Sequence, residues 1–241
     1  VDGVCFTGST ETAWAINRTL AAKNGPIVPL IAETGGMNAM IVDATALPEQ
    51  VADDVVSSAF RSAGQRCSAL RLLFVQEDVA DRMLDMIEGA ARELKLGDPM
   101  HLHTDIGPVI DADQLAMLNG HIAAMRKGQK VRFAAEAPEG GLFFGPHIVE
   151  LTRADALERE IFGPVLHVVR YKAGQLDKVL DQIEATGFGL TLGIHTRIEE
   201  TVERVTDRLD TGNIYVNRNM IGAVVGTQPF GGSGLSGTGF K

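Results

Sequence analysis

Cysteine is scarce in this sequence: of 241 residues only Cys5 and Cys67 carry a thiol. Two cysteines with no close spacing make no disulfide framework for a chain of this size, and both are expected to be reduced thiols of a cytoplasmic protein. No apolar run approaches the roughly eighteen residues that cross a bilayer, and the start lacks the basic-then-apolar order of a secretory leader. Positive charge is also short. With 22 Lys and Arg against 31 Asp and Glu, a formal charge of -9 gives no broad basic field to hold a phosphate backbone, so a nucleic-acid partner is not expected. The six histidines include His101 and His103 in one loop, but no ligand set at metal spacing surrounds them, and no metal is expected.

The composition that remains, 45% hydrophobic and 22% charged, is enough to bury one large domain or one domain with an extra lobe. Short apolar runs alternate with amphipathic stretches. Residues 1–7 read as a strand and 10–23 as a helix; 28–32 and 38–42 read as strands, and Pro48–Phe60 as a helix with proline in its first turn. Residues 70–75 read as a buried strand, followed by a helix whose face is marked by Val79, Met83, Met86, Ile87, Ala90 and Leu94. Further on, strands at Val165–Tyr171, 190–195 and Asn213–Val216 alternate with helices at 176–183 and 199–209. This alternation predicts an α/β fold with a largely parallel sheet. The Gly- and Pro-bearing stretches 101–109 and 136–146 read as surface loops. Because the chain opens on an apolar run and closes in the glycine-rich stretch 230–241, it is expected to be a piece of a longer polypeptide.

Two residues stand in settings suited to chemistry. Glu33 ends an apolar run and precedes Gly35 and Gly36; strand ends on tight turns are where α/β folds place their sites, although a solvated turn glutamate is the plainer alternative. Cys67 sits in Gly64-Gln65-Arg66-Cys67-Ser68, and the cations Arg66 and Arg71 are expected to lower its pKa and favour the nucleophilic thiolate. Cys5, inside an apolar strand, reads instead as a small buried hydrophobe. Capture of a substrate by the sulfur and release by water activated at Glu33 is the chemistry this pair would support. The turn Gly8-Ser9-Thr10-Glu11 could seat an anion on helix N–H groups, or could be only an N-cap by Ser9 or Thr10.

Taken in order, these segments carry a resemblance. Gly8-Ser9-Thr10-Glu11, Glu33-Thr34-Gly35-Gly36, Gly64-Gln65-Arg66-Cys67, Glu160-Ile161-Phe162-Gly163-Pro164-Val165 and Pro229-Phe230-Gly231-Gly232 match the motifs of the aldehyde dehydrogenase superfamily in order and spacing. The turn Thr104-Asp105-Ile106-Gly107-Pro108 does so too, and the resemblance covers essentially the whole chain. Within the superfamily, residues 60–71 and 222–232 most resemble the pyrroline-5-carboxylate (glutamate semialdehyde) dehydrogenases, including the dehydrogenase domain of bifunctional proline-utilisation proteins.

The resemblance implies that Cys67 attacks an aldehyde to give a thiohemiacetal, and that Glu33 activates the water that hydrolyses the thioester left after oxidation. It implies NAD as cofactor, with Gly8 and Ser9 at the pyrophosphate, Glu160 at the nicotinamide ribose, Phe162 near the nicotinamide and Gly35 among the binding residues. Ser68, Gly222 and Ala223 would hold the carboxylate of glutamate semialdehyde, and Phe230 its aliphatic stem. From the residues alone, Phe162 as core filling, Glu160 as the solvated end of a charged stretch and Gly222-Ala223 as an ordinary loop stay open. By the same resemblance, residues 1–32 are the last part of a Rossmann-like NAD-binding domain and residues 33–241 the catalytic domain. The asparagine that completes the oxyanion hole would precede residue 1, and the isolated chain is expected to bind NAD poorly and turn over little. Its expected partners are a small-molecule aldehyde and, through exposed edges, further copies of itself as a homo-oligomer. Two other classes compete: a cofactor-free cysteine hydrolase, which lacks a placed histidine, and a non-catalytic assembly fragment.

Overall fold

A strand that is apolar at every position, such as Ala39–Val42, has no polar face to give to water and must be covered on both sides. The computed structural model, which describes residues 1–239, sets such strands in the middle of a seven-stranded sheet. Phe240 and Lys241, the end of the glycine-rich tail, lie outside the described residues.

The chain begins with strand β1 (Val4–Thr7), helix α1 (Thr10–Ala22) and strand β2 (Leu30–Glu33). These two strands form a parallel pair of their own, with Thr7 opposite Glu33. Next come β3 (Ala39–Val42), α2 (Pro48–Phe60), a tight turn at Arg61–Gly64, β4 (Leu72–Gln76) and α3 (Glu77–Arg92). They are followed by α4 (Ala112–Gly128), β5 (Lys130–Ala134), β6 (His147–Leu151), β7 (Val165–Tyr171) and α5 (Leu176–Glu184). The last elements are the two-residue β8 (Phe188–Gly189), β9 (Thr191–His195), α6 (Glu199–Arg208), β10 (Asn213–Val216) and the short β11 (Ser233–Gly234). The main sheet runs β10-β9-β3-β4-β7-β6-β5, parallel throughout except that β5 is antiparallel to β6.

Burial follows from this order. Met40, Phe74 and Val168, on the three central strands, are fully covered, each contributing about 2–3 kcal/mol relative to exposure. Pro48 starts α2 where its missing N–H costs nothing, and the helix ends at Phe60, whose ring is also fully buried. The buried face of α3 is Ala80, Met83, Leu84, Ile87 and Ala91, while Val79, Met86, Ala90 and Leu94 are only partly buried. Its apolar stripe is wider than one line of residues, and the helix settles on the side where alanines allow close approach. Cys5 is exposed, which corrects the expectation of a buried hydrophobe. Among the described residues β1 pairs with β2 alone, burial alternates along it, and Cys5 falls on the open face. Among the described residues no helix is long and apolar enough to cross a membrane.

Candidate active site

The site forms where the carboxyl ends of β1 and β2 meet the segments that enter β3, β4 and β7. Cys67 lies between α2 and β4, on a segment that starts with backbone of the less common hand. Ser62 (φ 56), Ala63 (φ 52) and Gly64 (φ 62) are all left-handed, at about 1–2 kcal/mol for each residue that has a Cβ. Only glycine fits the third position, because a Cβ there would overlap the Gly163 carbonyl. A turn closed by the Ala69 N–H on the Arg66 carbonyl (3.0 Å) then puts Cys67 at its tip.

Asn38 holds that tip. Its Nδ2 donates to the carbonyls of Cys67 (2.6 Å) and Ala69 (2.9 Å), and its Oδ1 accepts the Thr191 N–H (3.2 Å). The Asn38 carbonyl accepts the N–H groups of Arg71 and Leu72 (3.0 and 3.1 Å). Buried in low dielectric, these bonds are strong and costly to lose.

Beneath the turn is Arg71, fully buried. A buried guanidinium must find partners: Nη2 donates to the Arg66 carbonyl (3.1 Å) and pairs with Glu160 Oε1 (3.4 Å), and Nη1 donates to the Gly163 carbonyl (3.0 Å). The same group lies 5.2 Å from the centre of the Phe162 ring. Burial pushes the Glu160 carboxyl up from its usual range, while Arg71 and the Gly36 N–H pull it back.

Burial also raises the Cys67 thiol, and the negative charge of Glu160 raises it further; the N–H groups of Ser68 and Cys67 and the charge of Arg71 act the other way and are weaker. The expectation of a thiol acidified by its arginines is therefore corrected. Arg66 is exposed, with its Nε donating to Ser62 Oγ (2.9 Å), and the charge of Arg71 is shared with Glu160. Burial and Glu160 thus favour the protonated thiol. On the far side of Arg71, the Nδ1–H of buried His167 donates to the Arg71 carbonyl (3.1 Å), so its Nε2 is left to accept from His121 Nε2–H (2.9 Å). Burial keeps both rings neutral, with pKa values lowered to about 3 for His167 and about 4 for His121.

Two cavities open at Cys67, which is the one residue lining both among the described residues. One, of about 610 Å³, is lined by Gly8, Ser9, Gly35, Glu160 and Phe162 together with Thr10, Gln114 and Arg159. The other, of about 460 Å³, is lined by Ser68, Gly222, Ala223 and Phe230 together with Gln65, Arg66 and Gln228. Both volumes are in the range of small-molecule sites. The residues expected at a cofactor thus gather on one side of the thiol, and those expected at a substrate on the other.

The larger cavity is shaped by a glycine and by the start of a helix. A Cβ on Gly35 would stand 1.9 Å from Glu160 Oε2, so glycine is what lets the carboxylate lie along the wall. Ser9 is the N-cap of α1, its Oγ accepting the Thr12 N–H (3.2 Å), and the cap leaves first-turn N–H groups of Thr10 and Glu11 unpaired within the helix at the cavity. Capping and an anion seat are therefore compatible at this turn. The Gly8 N–H is used by the Glu33 carbonyl (3.1 Å), so Gly8 offers close approach rather than a donor.

Glu33 is next to the larger cavity without lining it. It ends β2, its Oε2 accepts the Gly232 N–H (3.1 Å), and it is not among the residues lining either cavity. No histidine lines them either. His101 and His103 stack on each other in their exposed loop, with ring centres 5.4 Å apart, and no group of three or more metal-ligating side chains occurs among the described residues.

Sequence reasoning missed Asn38, Gln114 and Arg159, and misjudged Arg71. Asn38 had a signal, as the last polar residue before an all-apolar strand. So did Arg71, a charge inside the apolar run 69–75. Gln114, whose Nε2 donates to the Phe162 carbonyl, and Arg159 had none.

The sequence profile described as "Aldehyde dehydrogenase family" matches residues 1–241. The bifunctional protein PutA of Klebsiella aerogenes is 57% identical over 252 residues, covering 100% of this chain and 19% of that protein. A 1-pyrroline-5-carboxylate dehydrogenase of Geobacillus sp. (strain WCH70) is 35% identical over 245 residues, covering 99% of this chain and 47% of that protein. Among solved structures, a bifunctional proline utilization A (PutA) protein superposes with a TM-score of 0.98 at 68% identity, covering 99% of this chain and 24% of that one. A 1-pyrroline-5-carboxylate dehydrogenase from Thermus with bound NAD superposes with a TM-score of 0.92 at 34% identity, covering 99% and 47%. The chain thus spans about a fifth of the bifunctional proteins and about half of the dehydrogenases it matches.

Proposed function

Because this chain belongs to the aldehyde dehydrogenase family, we propose that it carries the catalytic thiol of an NAD-dependent dehydrogenase that oxidises glutamate semialdehyde, the open form of pyrroline-5-carboxylate, to glutamate in proline catabolism. The observation that carries the proposal is the position of Cys67 as the one residue, among the described residues, shared by two cavities. A substrate and a hydride acceptor approaching from opposite sides would meet at a single sulfur. The names of the PutA and 1-pyrroline-5-carboxylate dehydrogenase relatives support the choice of substrate, and the NAD bound to the Thermus relative supports the choice of cofactor.

Glu160, Gly35, Ser9 and the first turn of α1 would hold the dinucleotide, with Phe162 forming a wall; when bound, its nicotinamide supplies the hydride acceptor. The residues of the chain do the rest. Cys67 loses its proton to solvent water and adds through sulfur to the aldehyde carbon, the carbonyl π pair moving to the oxygen, and the Cys67 N–H is one donor for the oxygen that becomes anionic. Departure of hydride leaves an acyl group on the sulfur. Glu33, turned from Gly232 toward the thioester, takes a proton from water; the hydroxide adds to the acyl carbon and the thiolate leaves. On the substrate side, Ser68 and the backbone at Gly222 and Ala223 would receive the carboxylate, with Phe230 along the aliphatic stem.

NADH formation by the full-length protein tests this. Cys67→Ala is expected to abolish it, and Glu33→Gln to permit one turnover and then stall with an acylated thiol detectable by mass. NADH formation persisting in Cys67→Ala would overturn the chemistry, and preference for an uncharged aldehyde would overturn the choice of substrate.

A further inference from the structure

We propose that Arg71 is a positioning residue for this reaction, one guanidinium that ties the Cys67 turn to the carboxylate of Glu160 and so holds nucleophile and cofactor wall in fixed relation. The proposal rests on the reading above and names a residue that reading does not require. The contacts of Arg71 divide between two motifs. On one side Nη2 reaches the carbonyl of Arg66, the residue before the nucleophile. On the other side lie Glu160 Oε1, the Gly163 carbonyl and the Phe162 ring, all in the segment that leads into β7.

The backbone of Arg71 is pinned from two strands. Its N–H donates to the Asn38 carbonyl (3.0 Å), just before β3, and its own carbonyl accepts the N–H (2.9 Å) and Nδ1–H (3.1 Å) of His167 on β7. The base of the side chain is therefore fixed, and its head spans the gap between motifs. Packing alone does not account for an arginine here. Its Nε is buried without an acceptor among the described residues, a cost that methionine, filling similar volume, would not carry. The groups that face it are Glu160 from the segment before β7, Cys67 from the turn, and neutral His167 from β7. Glu160 is the one carboxylate among them, and the charge of Arg71 is the largest influence opposing the upward push of burial on it.

Arg71→Met and Glu160→Gln in the full-length protein separate this role from packing. Two quantities are measured: the rate of iodoacetamide alkylation of the Cys67 peptide against pH, followed by mass spectrometry without cofactor, and the dissociation constant of NAD by calorimetry. Arg71→Met is expected to move the alkylation midpoint to higher pH and to weaken NAD at least about tenfold, because thiolate and carboxylate both lose their cation. Glu160→Gln is expected to move the midpoint to lower pH, since Arg71 then acts on the thiol alone. A folded Arg71→Met variant with the parent's midpoint and affinity overturns the proposal. Should that variant fail to fold, Glu160→Gln decides, and an unchanged or higher midpoint overturns it. Neither readout needs aldehyde turnover, so failure of the proposed oxidation would leave these results standing, and failure here would leave the oxidation at Cys67 intact.

Discussion

Replacing Gly35 by alanine adds one methyl group to the wall of the larger cavity. Its carbon would stand 1.9 Å from Glu160 Oε2, where ordinary contact begins near 3.4 Å, so the carboxylate must withdraw by about 1.5 Å. A glutamate side chain can swing aside, and the cost to the fold is the ~1–3 kcal/mol of a modest overpacking. The cost to the site is larger in kind. At an effective dielectric of about 20, the Arg71–Glu160 pair at 3.4 Å interacts by ~5 kcal/mol, and a displacement that lengthens the pair by about 1.5 Å removes roughly a third of it. A loss of ~1.5 kcal/mol is about a tenfold change in any equilibrium that needs Glu160 ionised and in place. Titration of the full-length Gly35→Ala protein with NAD should give a dissociation constant raised about tenfold, with melting lowered by only a few degrees. Gly120→Ala in α4, where a Cβ meets nothing within 4 Å, is the control and should bind as the parent does. An NAD affinity in Gly35→Ala within about twofold of the parent would refute the reasoning.

Two further outcomes follow from the buried polar groups. Asn38→Ala strips partners from the carbonyls of Cys67 and Ala69 and from the Thr191 N–H, at ~1–3 kcal/mol each before relaxation. A total of ~3–5 kcal/mol should lower melting by roughly 6–20 °C, and a shift under about 2 °C would show that Asn38 does not hold the turn. His167 and His121 have folded pKa values of about 3 and about 4, below their unfolded value near 6.5. Below that value the unfolded chain binds the extra protons, so stability is full above about pH 6.5 and falls as pH drops toward 4, by at most ~1.4 kcal/mol per unit for each ring. Urea midpoints at pH 7 and pH 5 should differ accordingly, and equal midpoints would count against neutral burial.

The part of the fold written in apolar periodicity was legible, and the part that depends on partners was not. β7 and β10 and the helix α2 stand at their expected bounds, since β-branched and aromatic runs after Gly and Pro punctuation, and a leading proline, leave few alternatives. The helix α4 and the strands β5 and β6 were not anticipated. Only Leu118 and Ile122 of α4 are buried, its other apolar residues being spread around the helix, and β5 is an edge strand with a single buried residue, Phe133. At the site, motif order pointed to both sides of the thiol. The state of the thiol was not legible, because Arg66 and Arg71 look alike in a string. One extends into solvent and the other is buried against a carboxylate, and the sign of the effect on Cys67 turns on that difference.

The turn carrying Cys67 is gripped by its peptide backbone. Asn38 takes the carbonyls of Cys67 and Ala69, Arg71 takes that of Arg66, and Gly64 fits beneath that of Gly163. None of these contacts reads the side chain of Ser68, which lines the smaller cavity, whereas Gln65 is tied to Ile110 and Pro108 and Arg66 to Ser62. Ser68 is accordingly the position of this turn at which the smaller cavity can be reshaped while the sulfur keeps its aim.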